Sequence, residues 1–210
     1  MNRRQGNLLK RDGFIAHIYS GEPHGFTLAR AWKQQGGVPS HLLEIDIKNG
    51  QGHDMLLDAG VYAGLMCAVL HDKVEAVVGG PNCRTRSVLR HYPKENAPRP
   101  VRGWGGEEFG LFDFSKEEEN QVTEDDILLW RFLFLWMVAS YLRAAKQVQR
   151  KVGLLLEQPA SPRKCMPECV SFWDTSDWKS LREEFGLKEE TSQGNQGGAN
   201  HNGWHFGSEL

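Results

Sequence analysis

Apolar and polar positions along this chain switch between two rhythms, and the switches predict a repeating strand-helix order. An apolar run over 13–19 reads as a buried strand. The turn Ser20-Gly21-Glu22-Pro23-His24-Gly25 follows it, and then an amphipathic helix over 26–35 closed by Gly36 and Gly37. A second strand is predicted over 41–47, a helix over 58–70, and a third strand over 74–78 that runs into Gly79-Gly80-Pro81. The segment 88–121 is rich in Pro, Gly and charge, longer than an ordinary connection and therefore functional or without fixed structure. Thr123 with Asp126 three residues on resembles a capping box and predicts a helix from 123 to about 150. Its middle is apolar nearly all round, but Arg131 interrupts it and Arg143 and Lys146 follow, so a core helix is expected, not a membrane span. A strand over 152–156 and an amphipathic helix over 172–186 complete the pattern, and beyond Leu187 the Ser, Gln, Gly and Asn content predicts no packed structure.

This order predicts an α/β fold of the Rossmann-like, doubly wound kind, with a mostly parallel sheet. A chain of 210 residues is long enough for one core and short for two. The expected organisation is an N-terminal arm over 1–12, one α/β domain over 13–190 and a tail over 191–210. A formal charge of −2 leaves no global basic footprint, so any nucleic-acid contact must come from a local patch. Four cysteines, with no CxxC pair and no secretory leader, point to reduced thiols in an intracellular protein, nuclear or cytoplasmic. Cys165 and Cys169 are the one close pair, and scattered histidines would have to complete a zinc site, so no metal is expected. Oligomeric state is not readable.

Three places carry candidate chemistry. Cys83 follows the third strand and a Gly-Gly-Pro exit, with Arg84 and Arg86 beside it, charges that favour thiolate over thiol. Read alone, the same stretch fits an inert, half-buried cysteine. Arg84, Arg86, Arg90, His91, Lys94, Arg99 and Arg102 against one glutamate, Glu95, form the local cationic stretch, which reads either as a phosphate-contacting loop or as a solvated one. Glu44 and Asp46 sit at the end of the second strand, where a carboxylate can hold a ribose, and Glu157 follows the fourth strand.

Gly79-Gly80-Pro81-Asn82-Cys83-Arg84-Thr85-Arg86-Ser87 resembles the nucleophile motif of the C5-cytosine DNA methyltransferases, with Gly79, Pro81, Cys83 and Ser87 matching. Asn82 replaces a proline there, Arg84 a glutamine and Arg86 a phenylalanine. Tyr19-Ser20-Gly21 with Gly25 looks like that family's first cofactor motif, although the glycine spacing is shifted. Leu43-Glu44-Ile45-Asp46 is similar to its second motif, and Asp54 stands where an adenine-side aspartate would serve, though early in the chain. Glu157-Gln158-Pro159 resembles its Glu-Asn-Val or Glu-Asn-Pro motif. The likeness covers residues 14 to 160, and the order of the motifs is its specific part.

The resemblance implies an S-adenosyl-L-methionine cofactor held by Tyr19, Ser20, Gly21, Gly25, Glu44, Ile45 and Asp54. It implies Cys83 as nucleophile, Glu157 as the partner of cytosine N3, and DNA as substrate, with Arg84, Arg86, Arg90, Arg99 and Arg102 on its phosphates. The family's Gln-x-Arg-x-Arg motif, its target-recognition domain and its closing motif are not found before Leu210, so a reduced activity is expected. Residues 79–93 and 157–162 also look like stretches of retroelement polyproteins, which leaves open a non-catalytic nucleic-acid-binding or scaffold domain.

Overall fold

The computed structural model describes residues 6–7, 9–10, 13–21, 27–38, 41–92, 95, 98–159, 161–162, 164, 166–188 and 205–207. Where one domain is expected, the chain divides into two compact units. The first comprises 1–80 and 130–155 with residue 210, the second 81–129 and 156–209. The chain passes from one to the other between Gly80 and Pro81, between Leu129 and Trp130, and between Leu155 and Leu156.

The first unit holds the sheet. Its strands are β1 (Phe14–Ile18), β2 (Leu42–Ile45), β3 (Val74–Gly79) and β4 (Gly153–Leu156, whose last residue counts with the second unit). They form an all-parallel sheet in the order β2-β1-β3-β4. Helix α1 (Leu28–Gln34) links β1 to β2, and α2 (Val61–Leu70) links β2 to β3. The long helix α3 (Lys116–Ala145) precedes β4. β1 alternates, with Phe14, Ala16 and Ile18 buried and Ile15 and His17 half-buried, the period of two of a pleated strand. No residue of α1 is buried, whereas Val61, Leu65, Ala68 and Val69 of α2 enter the core.

Two side chains of α3 anchor the helix within this unit. Arg143 donates from Nε to Asp72 at 2.7 Å and from Nη2 to the Val74 carbonyl at 3.0 Å, while Trp136 donates to the Val152 carbonyl at 3.0 Å. At the end of β3, a Cβ on Gly79 would lie 1.9 Å from the Ile18 carbonyl oxygen. Glycine is required there by close approach of two strand backbones.

The second unit is built around rings. Phe172, Trp173 and Trp178 pack with centroids 5.6, 5.2 and 4.9 Å apart, the last pair edge-on. Trp178 lies on α4 (Ser176–Phe185), which Thr175 caps by accepting from the Trp178 N–H and which Gly186 closes at φ +64. The expected start of α3 at residue 123 is corrected: the helix begins seven residues earlier, at Lys116. The working capping box is Ser115 with Glu118: the Ser115 hydroxyl accepts from the Glu118 N–H at 3.2 Å, and the Glu118 carboxylate from the Ser115 N–H at 2.8 Å. Asp126 is claimed by arginines and caps nothing. Of the tail over 191–210, residues 205–207 form a short strand, β5 (His205–Gly207), and the rest lies outside the described residues. Among the described residues, α3 is the one helix long and apolar enough to cross a membrane by length and composition.

Candidate functional site

In the first unit, the order β2-β1-β3 reverses direction at β1, and the carboxyl end of β1 lies at that reversal. Open parallel sheets place ligands at such a point. Tyr19 leaves β1 at φ +62, a left-handed conformation unusual for a bulky residue, and Gly21 follows at φ +72. The N–H groups of Tyr19 and Ser20 both bond the Ile45 carbonyl, at 2.7 and 3.2 Å, which ties the end of β1 to the end of β2. The Gly21 N–H donates to Asp46 Oδ2 at 2.9 Å, and Asp46 Oδ1 accepts from the Lys48 N–H at 2.9 Å. His53, buried, accepts from the Asp46 N–H through Nδ1 at 3.4 Å. Burial lowers its pKa, with Asp46 opposing, and acceptance at Nδ1 places the proton of the neutral ring on Nε2.

Charged and aromatic groups gather around Tyr19. Its hydroxyl is pushed well above the usual tyrosine range by burial, with Arg131 opposing and Tyr62, Asp46 and Asp54 adding to the rise. Arg131 stacks over Tyr62 at 4.5 Å, donates to the Met55 carbonyl at 2.7 Å and pairs with Asp58. The Asp54 carboxylate accepts from the Leu56 N–H at 2.8 Å, closing its own turn. The Ser20 hydroxyl is buried with no hydrogen-bond partner among the described residues.

The residues expected to hold the cofactor therefore divide. Tyr19, Ser20, Gly21 and Asp54 lie around this turn. Glu44 stands one position inside β2, directly opposite His17 in the register, with its carboxylate 3.8 Å from His17 Nδ1. Ile45 is buried, 1% exposed, and packs in the core. Gly25 lies outside the described residues. The acid at the glycine turn is Asp46, which its place directly after β2 made legible; His53, Tyr62 and Arg131 reach the turn through tertiary folding and carry no spacing signal.

In the second unit, Cys83 caps the short 3-10 turn Arg84–Arg86, and its carbonyl accepts from the Arg86 N–H at 2.9 Å. Gln158, buried, donates to the Pro81 carbonyl at 2.8 Å and so binds the chain after β4 to the turn that carries Cys83. The expectation that Arg84 and Arg86 activate the thiol is corrected. Burial pushes the Cys83 thiol above its ordinary value, its own backbone amide opposes, and the carboxylates of Asp125 and Glu157 add smaller upward pushes. The positive charge is spent elsewhere. Arg84 binds Glu124 at 2.6 Å and Asp125 at 3.0 Å, and the backbone and hydroxyl of Thr85 take the other Asp125 oxygen at 3.1 and 2.8 Å.

The remaining arginines are committed in the same way. Arg86 pairs with Asp126 at 3.3 Å and faces the Phe172 ring at 5.8 Å. Arg90, buried, donates to the carbonyls of Arg84 and Arg99 and to Gln121. Arg102, buried, binds Asp126 through Nη1 and Nη2 at 3.1 and 2.9 Å and the Thr85 hydroxyl at 3.0 Å. Arg99, on the surface, holds Glu118 and Asp113, and the Glu118 carboxyl is held down to about 2, chiefly by Arg99. A phosphate meeting Arg84 or Arg99 must compete with a carboxylate already in place. The cationic stretch thus presents less free charge than its composition suggests, because the acids that neutralise it lie mostly on the first turns of α3, distant in sequence.

Cys83 should therefore react slowly. At neutral pH its alkylation by iodoacetamide, followed by mass spectrometry of the peptides, is expected to lag behind that of exposed Cys67 and to accelerate in Glu157→Gln. Equal rates at the two cysteines would show the thiol to be activated after all. Cys169 is buried, its thiol pushed up to about 11 by burial and by Glu168 and Asp174, while Cys165 lies outside the described residues. Among the described residues, no three His, Cys, Asp or Glu side chains are grouped to hold a metal.

No family model matches the chain, and neither a curated protein nor a solved structure matches it.

Proposed function

We propose that the chain is an S-adenosyl-L-methionine-binding, C5-cytosine DNA methyltransferase-like domain of reduced catalytic power. The observation that carries the reading is the reversal of strand order at β1, where a left-handed Tyr19, Gly21 and the acid Asp46 form a turn of the kind that holds nucleotides in parallel sheets. When bound, the cofactor supplies the methyl group. The Ser20 hydroxyl, buried without a partner among the described residues, is a donor available to it, and the resemblance assigns its ribose to the carboxylate of Glu44, which lies 3.8 Å from His17 Nδ1.

For the chemistry, Cys83 Sγ adds as thiolate to C6 of a cytosine turned out of the duplex, and Glu157 supports N3. C5 takes the methyl group, loses its proton, and the thiolate leaves. Cys83 enters this sequence as a thiol and must first lose its proton, which is the physical reason for expecting low activity. The second reading, a scaffold domain that keeps the fold without the chemistry, draws support from the same protonated thiol and from the arginines committed to internal carboxylates.

Calorimetry with S-adenosyl-L-methionine is expected to show binding that weakens in Glu44→Ala and in Asp46→Asn. DNA containing 5-fluorocytosine should trap Cys83 as a covalent adduct, because fluorine at C5 blocks the final elimination, and Cys83→Ser should abolish it. Binding without an adduct leaves a cofactor pocket without catalysis. No binding at all sinks the methyltransferase reading in favour of the scaffold.

A further inference from the structure

We infer that the second unit, whatever its catalytic power, binds one small monovalent anion of the halide class at Arg86 Nη1, and that the ion secures the turn carrying Cys83. The Arg86 side chain is 5% exposed, and its Nη1 is buried with no hydrogen-bond partner among the described residues. Nη2 donates to Asp126 Oδ1 at 3.3 Å, and the guanidinium lies over the Phe172 ring at 5.8 Å, which offers it no oxygen. A buried guanidinium N–H left unpaired costs more than a neutral donor, because it carries part of a full charge.

Charge decides what fits. Arg86, Arg90 and Arg102 are buried, and the carboxylates set among them are buried Asp125 and half-buried Asp126, so three cations face two acids. Glu118 and Glu124 are engaged nearer the surface by Arg99 and Arg84, at 2.8 and 2.6 Å, and leave that balance unchanged. Arg102 takes both oxygens of Asp126, at 2.9 and 3.1 Å, so Arg86 has the weaker share of this carboxylate and the excess charge falls on it. A water molecule would answer the free N–H and leave the charge; a monovalent anion answers both. The enclosure of Nη1 sets the size, since a nucleic-acid phosphate brings a sugar chain with it and a halide needs little more room than a water molecule. The Arg86 backbone N–H donates to the Cys83 carbonyl at 2.9 Å, so an ion on the Arg86 side chain holds the far end of the short turn that Cys83 opens.

Urea denaturation of the full chain in sodium chloride, with sodium gluconate keeping the ionic strength constant, is the test. One bound ion should raise the folded-to-unfolded ratio about tenfold for each tenfold rise in chloride above its dissociation constant, and bromide should act in the same way. Arg86→Met should remove the dependence. Should that variant not fold, Arg86→Lys keeps a charge for Asp126, loses the spare N–H, and should weaken chloride binding at least about tenfold. Arg99→Met, on the surface, should keep the dependence intact. Alkylation of Cys83 by iodoacetamide should slow as chloride rises, while that of exposed Cys67 stays constant. Stability indifferent to chloride, a chloride dependence that persists in the Arg86 variants, or Cys83 alkylation that ignores chloride overturns the inference. A response to inorganic phosphate with none to chloride overturns the choice of a halide and assigns Arg86 to a larger oxyanion.

Discussion

Asp126→Asn is expected to cost about 3–5 kcal/mol of stability, the range for removing one partner of a buried ion pair. One carboxylate serves two guanidinium groups. Asp126 Oδ1 accepts from Arg102 at 2.9 Å and from Arg86 at 3.3 Å, and Oδ2 accepts from Arg102 at 3.1 Å. The arginine side chains are 2 and 5% exposed, so neither can turn to water when the carboxylate is lost. Burial already pulls the pKa of Arg86 down to about 10, and the charge of Arg102 adds to that, which marks the pair as under-neutralised even with Asp126 present. Asparagine keeps the size and one acceptor oxygen, so the loss isolates the charge.

Urea denaturation followed by tryptophan fluorescence measures it. Glu119→Gln, which removes only an exposed pair with Lys116, should stay within about 0.5 kcal/mol. Adding Arg86→Met to Asp126→Asn should recover part of the loss, since Arg86 is the guanidinium with the fewest other bonds and one buried nitrogen, Nη1, without a partner among the described residues. A loss below about 1 kcal/mol in Asp126→Asn would show that the arginines find other compensation.

Gly79→Ala is expected to destabilise by about 3 kcal/mol, the upper end of ordinary overpacking. The added Cβ would lie 1.9 Å from the Ile18 carbonyl oxygen and 3.2 Å from the Phe132 ring. The first of these neighbours is strand backbone and cannot step aside. Ile18 and Gly79 are register partners, so the clash falls at the carboxyl ends of β1 and β3, immediately before the turn that starts at Tyr19. Thermal melts should show this loss together with weakened S-adenosyl-L-methionine binding if that turn is the cofactor site. Gly64→Ala is the contrast: its Cβ meets only the flexible end of Leu9 at 3.1 Å, and alanine in α2 gains up to about 1 kcal/mol of helix propensity. A Gly79→Ala protein as stable as the original would mean that β1 and β3 are less tightly apposed than described.

Local pattern was enough to read the strand and helix order. β1, β2, β3 and β4 fall inside or within one residue of the runs predicted for them, because a buried parallel strand must be a short apolar run bounded by turn residues. The glycine turn after β1 and the acid after β2 were legible for the same reason. The start of α3 was misplaced although Ser115 and Glu118 stood in the sequence: two capping signals competed, and only the folded chain shows Asp126 drawn away from helix capping by Arg86 and Arg102. The state of Cys83 could not be read from neighbours in sequence. Arg84 and Arg86 adjoin it along the chain, but a guanidinium acts through space, and here both lie against acids some forty residues distant while Asp125 and Glu157 act on the thiol. Composition and spacing thus determined which elements form and which groups are present. Which charges meet, and hence whether the cysteine is a thiolate and the arginines are free, was decided by tertiary structure, because electrostatic energy depends on distance and burial and not on separation along the chain.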